Sequence, residues 1–323
     1  MWSTEDYVFL EGKIPRTPNS DIRVVNPEWR PFVHRMPKAN RKIESLIAPG
    51  KASSTKHAYK ISQTSLRNSY ASLNVFFKWL IDAELVMRNY LADAKKNCKY
   101  LIKVKIYQPP HTFDDEVWET FIQCLTVAAD ENPKFEIHRF VVLSLKVLFL
   151  RISELSSRDY YTPLFNHFRP DPSNEGWVLH VVGKGKKERV VTVPDSYIEN
   201  VLGRYRESMD LAPLPRIDED TPILPSMKTG KPLKQDSVNN IVEEAFDLVI
   251  STLMKSGKKQ QALDIAGASS HWLRHTGATQ ALDELNETML AEELGHASVK
   301  TTVEIYVAPA HRDRIRKGSQ RKL

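Results

Sequence analysis

"SSHWLRHTGATQALDELNETMLAEELGHASVKTTVEIY", residues Ser269 to Tyr306, is patterned like packed helices yet carries His271, Arg274, His275, His296 and Tyr306. Leu and Ala gain by burial, whereas His and Arg lose by it unless each finds a partner. His271 and Arg274 are three residues apart, so on a helix they share a face. An imidazole and a guanidinium projecting together do little for a core. They suit a phosphate oxygen, because Arg presents paired donors. His275, about 100° further round the helix, reads as a packing or supporting residue. His296 follows Leu294–Gly295, a helix-end signal, and Tyr306 sits on an amphipathic stretch. Taken singly, each has an ordinary reading as a cap, a satisfied core histidine or a core aromatic.

The rest of the chain narrows the choice. It has 323 residues and a formal charge of +6, long enough for two domains. No apolar run reaches the length of about 18 residues that crosses a bilayer, and "MWSTEDYVFLEGKIPR" lacks the apolar region of a secretory signal. The two cysteines, Cys98 and Cys124, suggest neither a disulfide framework nor a zinc site, which fits a cytoplasmic setting. The basic residues are clustered: seven Lys/Arg against one Glu between Arg35 and Lys60, four against one in "KGKKER" (184–189), and six against one between His311 and Leu323. The remainder is net acidic. Three separate basic patches on an otherwise acidic chain point to a polyanion held at several places.

The expected class is mainly α with a small antiparallel sheet. Residues 1–34 read as an arm of unassigned role. Residues 35–108 read as a helical domain, with Ser53, Ser54 or Thr55 as helix caps and Leu66, Tyr70, Leu73, Phe77 and Leu80/Ile81 on one apolar face. Pro109 and Pro110 mark a linker over 109–112. A second domain then runs over 113–323, with Asp114–Glu116 at a helix N-terminus, where the dipole favours carboxylates. "FVVLSLKVLFL" (140–150) reads as a buried helix. "GWVLHVVGKGKKERVVTVP" reads as a β-hairpin turning at Gly183–Lys187. "IVEEAFDLVI" is helical again, and "KSGKKQQ" is a basic loop.

Two further residues belong with the opening stretch. Arg151 directly follows the apolar run, so it must be paired or face an anion. Glu154, three residues on, offers an ion pair. Lys184 lies in the hairpin turn, where a lysine is ordinarily just solvated.

The order Arg151, Glu154, hairpin Lys184, His271-x-x-Arg274, His296 after Leu-Gly, then Tyr306 resembles the tyrosine recombinase (phage integrase) family, including its Xer-type members. The motifs that carry it are "LRISEL", "GKGKKER", "HWLRHT", "LGHAS" and the tyrosine, spanning about Thr112 to Tyr306. Residues 53–92 resemble the family's helical, SAM-like core-binding domain. The chain departs in one spacing: Tyr306 follows His296 by ten residues where the family usually has nine.

The resemblance implies two domains forming a C-shaped DNA clamp and a metal-free, cofactor-free chemistry. Tyr306 would attack a phosphodiester to give a 3′-phosphotyrosine, and Arg151 and Arg274 would hold the non-bridging oxygens. Lys184 would protonate the leaving 5′-oxygen, His271 would act in acid–base chemistry, His296 would donate to the phosphate, and Glu154 would support Arg151. Lys56, Lys60, Arg67, Lys186, Lys187 and Arg189 are the expected further DNA contacts. Implied partners are double-stranded DNA with short inverted-repeat core sites, three further copies completing a tetramer on two sites, and an accessory DNA-binding protein. The setting would be the cytoplasm, at the nucleoid. The role would be integration, excision or cointegrate resolution for a mobile element, through a Holliday junction. The competing readings are a type IB topoisomerase-like nicking–closing enzyme and a non-catalytic DNA-binding protein on the same fold.

Overall fold

The computed structural model describes residues 38–48, 61–102, 110–307 and 319. The chain divides into two compact units, residues 1–107 and 108–323. The expected caps Ser53–Thr55, the contacts Lys56 and Lys60, the arm and the basic tail (except Ser319) lie outside the described residues.

The first unit contains α1 (Lys38–Ile47), α2 (Gln63–Asp82) and α3 (Leu91–Asn97). The Ser62 hydroxyl accepts from the Ser65 amide at 3.0 Å and caps α2, satisfying one of the donors that a helix start leaves open. Leu66, Tyr70, Phe77, Leu80 and Ile81 are half-buried on one face, while Leu73, expected with them, is exposed. Gln63 ties the start of α2 to the chain beyond α3, donating to the Tyr100 carbonyl and accepting from the Ile102 amide. Arg67, expected at DNA, donates to the Ile102 carbonyl at 2.9 Å in the same seam.

The second unit is built around α5 (Glu136–Val147), which packs against α4 (Asp115–Glu131), α7 (Gln235–Lys255) and α9 (Ser270–Gln280). Asp114 caps α4 through the Val117 amide at 2.9 Å. The apolar faces of α4, α5 and α7 meet in a core containing Phe121, Leu125, Phe140, Leu145, Val238 and Val249. The buried helix expected over 140–150 ends early, at Val147. Phe149 takes a left-handed φ of 48°, which costs a bulky residue about 1 kcal/mol or more. That twist turns the Phe149 carbonyl toward Arg274. The short α6 (Ile152–Leu155) follows at once, with Arg151 at its N-cap.

A three-stranded antiparallel sheet comprises β1 (Phe168–Pro170), β2 (Trp177–Val182) and β3 (Glu188–Val193), in that order. β2 and β3 form the expected hairpin, with Val182 paired to Glu188. The turn is closed by the Gly183 amide donating to the Lys187 carbonyl at 2.7 Å. Gly185 and Lys186 take positive φ. The edge strand β1 has no clear signal of its own in the sequence. The loop expected over "KSGKKQQ" is shorter than read, because α8 (Lys259–Ala266) already begins inside it.

α10 (Glu287–Leu294) ends on Gly295 at φ 60° and is followed by α11 (Val299–Thr302). The chain then widens into a π turn, Val303–Val307. Such a turn closes its hydrogen bonds one residue later than an α-helix, and it accommodates the ten-residue spacing from His296 to Tyr306.

Gly277 sets how closely α9 approaches α5. A Cβ there would stand 1.9 Å from the Lys146 carbonyl oxygen, a clash with backbone that no rotamer change relieves. Gly277→Ala is expected to destabilise the second unit by about 3 kcal/mol. The check is a fall in the urea midpoint at unchanged slope; an unshifted midpoint would show that the helices part without cost.

Candidate active site

The site grows from the end of α5. Arg151 donates its backbone N–H to Glu154 Oε2 at 2.7 Å and its guanidinium to Glu154 Oε1 at 3.1 Å, so one carboxylate fixes both main chain and side chain. The Arg151 side chain keeps 32% of its surface exposed, whereas that of Glu154 is fully buried. Burial pushes the Glu154 carboxyl up. Hydrogen bonds and charge from Arg189, the Arg151 amide and the Arg274 charge outweigh it, holding the group below its ordinary value.

Arg274 comes from the middle of α9 and is buried. It donates to the Phe149 carbonyl and, at 2.6 Å, to the Leu294 carbonyl. It stands 3.8 Å from Glu154. Burial first, then repulsion from Arg151 and Arg189, brings it down to about 9, still cationic at neutral pH. Arg151, His271 and Arg274 line one open cleft of about 270 Å³ together with Ser153, Gln235 and Asn239. His271 is exposed at that cleft.

Tyr306 is 3% exposed and packs among Phe149, Ala278, Leu290 and Leu294. It does not line the cleft. Burial raises its hydroxyl above the ordinary phenol value, against the pull of Arg274 and Arg151. The hydroxyl lies 2.8 Å from His275 Nδ1. His275, read from the sequence as packing or support, is therefore the direct partner of the candidate nucleophile. Its one visible signal was the position next to Arg274. The His296 ring lies nearly parallel to Tyr306, centroids 6.4 Å apart, and its Nδ1 meets Thr302 Oγ1 at 2.8 Å. Burial, then neighbouring positive charge, pulls both His275 and His296 down to about 4. Each is a neutral ring at pH 7, able to accept a proton at one nitrogen and donate from the other.

The hairpin residues part company. Lys184 opens the turn, but its side chain lies outside the described residues. Lys186 holds its ammonium 5.0 Å above the Tyr160 ring, and Lys187 is exposed. Arg189, expected at DNA, turns inward instead. Its side chain is 9% exposed and meets Glu154 Oε2 at 2.8 Å, because β3 passes over the buried carboxylate. Beside Arg158, Tyr161 is pushed up to about 12 by burial.

His275 and His296 bind fewer protons folded than unfolded between pH 6.5, the ordinary imidazole value, and about 4. Their contribution is complete above pH 6.5 and is lost as pH falls through that window. Because both rings are only partly buried, the expected loss of unfolding free energy from pH 7.5 to 5.0 is about 1–2 kcal/mol. His275→Asn should flatten the pH dependence in denaturant titrations; an unchanged slope would remove His275 as a contributor.

Residues 171–312 match the Phage integrase family. Tyrosine recombinase XerC of Lacticaseibacillus casei (strain BL23) is 25% identical over 260 residues, covering 78% of this chain and 74% of that protein. A tyrosine recombinase of Agathobacter rectalis is 22% identical over 247 residues, covering 75% and 71%. The XerH site-specific recombinase bound to palindromic difH substrate, in a post-cleavage complex, aligns with a TM-score of 0.50 at 18% identity, covering 87% of this chain and 71% of that one. That likeness is one of fold. With the arginine pair, the two histidines and the tyrosine gathered from separate segments of the chain, the match of residues 171–312 to the phage integrase family has a physical counterpart in the site, and the chain is similar to tyrosine recombinases.

Proposed function

We propose that this protein is a site-specific DNA recombinase that breaks and rejoins strands through a covalent phosphotyrosine. The observation that carries the reading is the arginine pair. Arg151 and Arg274 line one cleft, and both lie close enough to the Tyr306 hydroxyl to pull against the rise that burial imposes on it.

The chemistry follows from those groups. The Tyr306 oxygen attacks phosphorus as the bond to the 5′-oxygen breaks, giving a 3′-phosphotyrosine and a 5′-hydroxyl. The hydroxyl proton leaves toward a neutral imidazole; His275 is within hydrogen-bond reach, and His271 stands at the cleft. Two guanidiniums hold the non-bridging oxygens as negative charge builds there, the place where fixed donors accelerate most. Lys184 is the proposed donor to the departing oxygen. The ester retains the energy of the broken bond, so a 5′-hydroxyl from a partner strand reverses the step without ATP. A tetramer on two sites, exchanging one pair of strands at a time through a Holliday junction, completes the reading, with a mobile element as the setting.

The test is to denature cells containing the protein, recover DNA that remains attached to it, and sequence the attachment points. Wild-type protein is expected to yield adducts at a defined site. Tyr306→Phe, which deletes one hydroxyl, should still bind that site and yield none. A denaturation-resistant adduct with the Phe variant would sink the assignment of the nucleophile.

A further inference from the structure

Arg189 joins three parts of the site. Its Nη2 and Nε reach the two oxygens of Glu154 at 2.8 and 3.3 Å. Nη1 donates to the Glu293 carbonyl in the last turn of α10, and Nη2 also lies 3.5 Å from the Phe149 carbonyl. The same strand is tied to α10 a second time, where the Thr192 amide donates to the Glu293 carboxylate at 3.1 Å. The path is shaped for this side chain: a Cβ on Gly295 would stand 2.6 Å from Arg189 Cδ. The hairpin presses on the same carboxylate, since a Cβ on Gly183, the residue before Lys184, would meet Glu154 Oε1 at 3.2 Å.

The charges explain why an arginine stands here. Glu154 is one buried carboxylate among three guanidiniums, those of Arg151, Arg189 and Arg274. A buried carboxylate draws in whatever cation is nearest. Arg151 already spends one donor on Glu154; without Arg189 the carboxylate would draw Arg151 or Arg274 in further, and each added bond would be a donor withheld from an anion in the cleft. With Arg189 in place, one carboxylate is balanced and two positive charges remain over.

We infer that Arg189 is a positioning residue whose charge occupies Glu154, so that Arg151 and Arg274 stay available to the DNA phosphate. The inference rests on the reading of that arginine pair as the phosphate clamp. It also replaces a DNA contact at Arg189 with an inward role that leaves DNA affinity untouched.

The test uses the full-length protein and the duplex recovered from its covalent adducts. Arg189→Met is expected to slow single-turnover cleavage about a hundredfold. In the Tyr306→Phe background the same change should leave the Kd within about threefold and the salt slope unchanged. Adding Glu154→Gln removes the unbalanced carboxylate, so the Arg189→Met/Glu154→Gln pair should cleave about tenfold faster than Arg189→Met alone, a recovery that coupled neighbours permit. A double variant no faster than the single one would reduce Arg189 to packing. A flattened salt slope would return it to the DNA surface. Wild-type cleavage by Arg189→Met would leave it no role. Should Arg189→Met fail to fold by circular dichroism, Arg189→Lys carries the test: it keeps the charge and should cleave within about tenfold of wild type, and a folded Lys variant slowed about a hundredfold would overturn the inference. Absence of any cleavage by the wild-type protein would remove the recombinase reading and this inference with it.

Discussion

The buried carboxylate of Glu154 is the interaction on which the second unit's chemistry depends. An isolated charge in that position would cost several kcal/mol. Here it accepts from the Arg151 amide and guanidinium and from Arg189, with Arg274 close by. The arrangement works both ways. The carboxylate holds mutually repelling cations within one small volume, and they keep it ionised despite complete burial. Burial first, then repulsion left over among the guanidiniums, pulls Arg274 well below the usual arginine range. Three guanidiniums around one carboxylate leave the cluster with excess positive charge.

The arginines also finish helices. The last carbonyls of an α-helix have no partner within it, and two at the end of α10 are taken by side chains: Glu293 O by Arg189 and Leu294 O by Arg274. The Phe149 carbonyl, turned by an unfavourable φ, joins the same set. The open backbone carbonyls and the site's guanidinium donors thus satisfy one another. The helix stops at Val147 although the apolar run continues to Leu150.

Much of this was legible from residue types. Helical periodicity marked α2, an apolar run marked α5, the Gly/Lys turn between β-branched runs marked the hairpin, and the face shared by His271 and Arg274 marked the cleft. What escaped was decided by tertiary geometry. Basic residues at 184–189 look equivalent in sequence, yet strand alternation puts Arg189 on the inner face with Val191 and Val193, while Lys187, still in the turn, is exposed. His275 read as packing or support because a one-residue step turns it away from Arg274, and nothing local reveals that the turn carrying Tyr306 closes back onto it. Exposed Leu73 on α2 shows the converse, an apolar position counted as core from periodicity alone.

The π turn at Val303–Val307 bears on how roles are carried between relatives. Counting nine residues from His296 lands on Ile305, an aliphatic side chain that can neither attack phosphorus nor leave it. The wide turn carries the Tyr306 hydroxyl, one position further along the chain, beside His275 and His296 in space. Position in such a protein is therefore a matter of what the backbone's pitch delivers to a point, and an inserted residue can be silent in chemistry while shifting every downstream number.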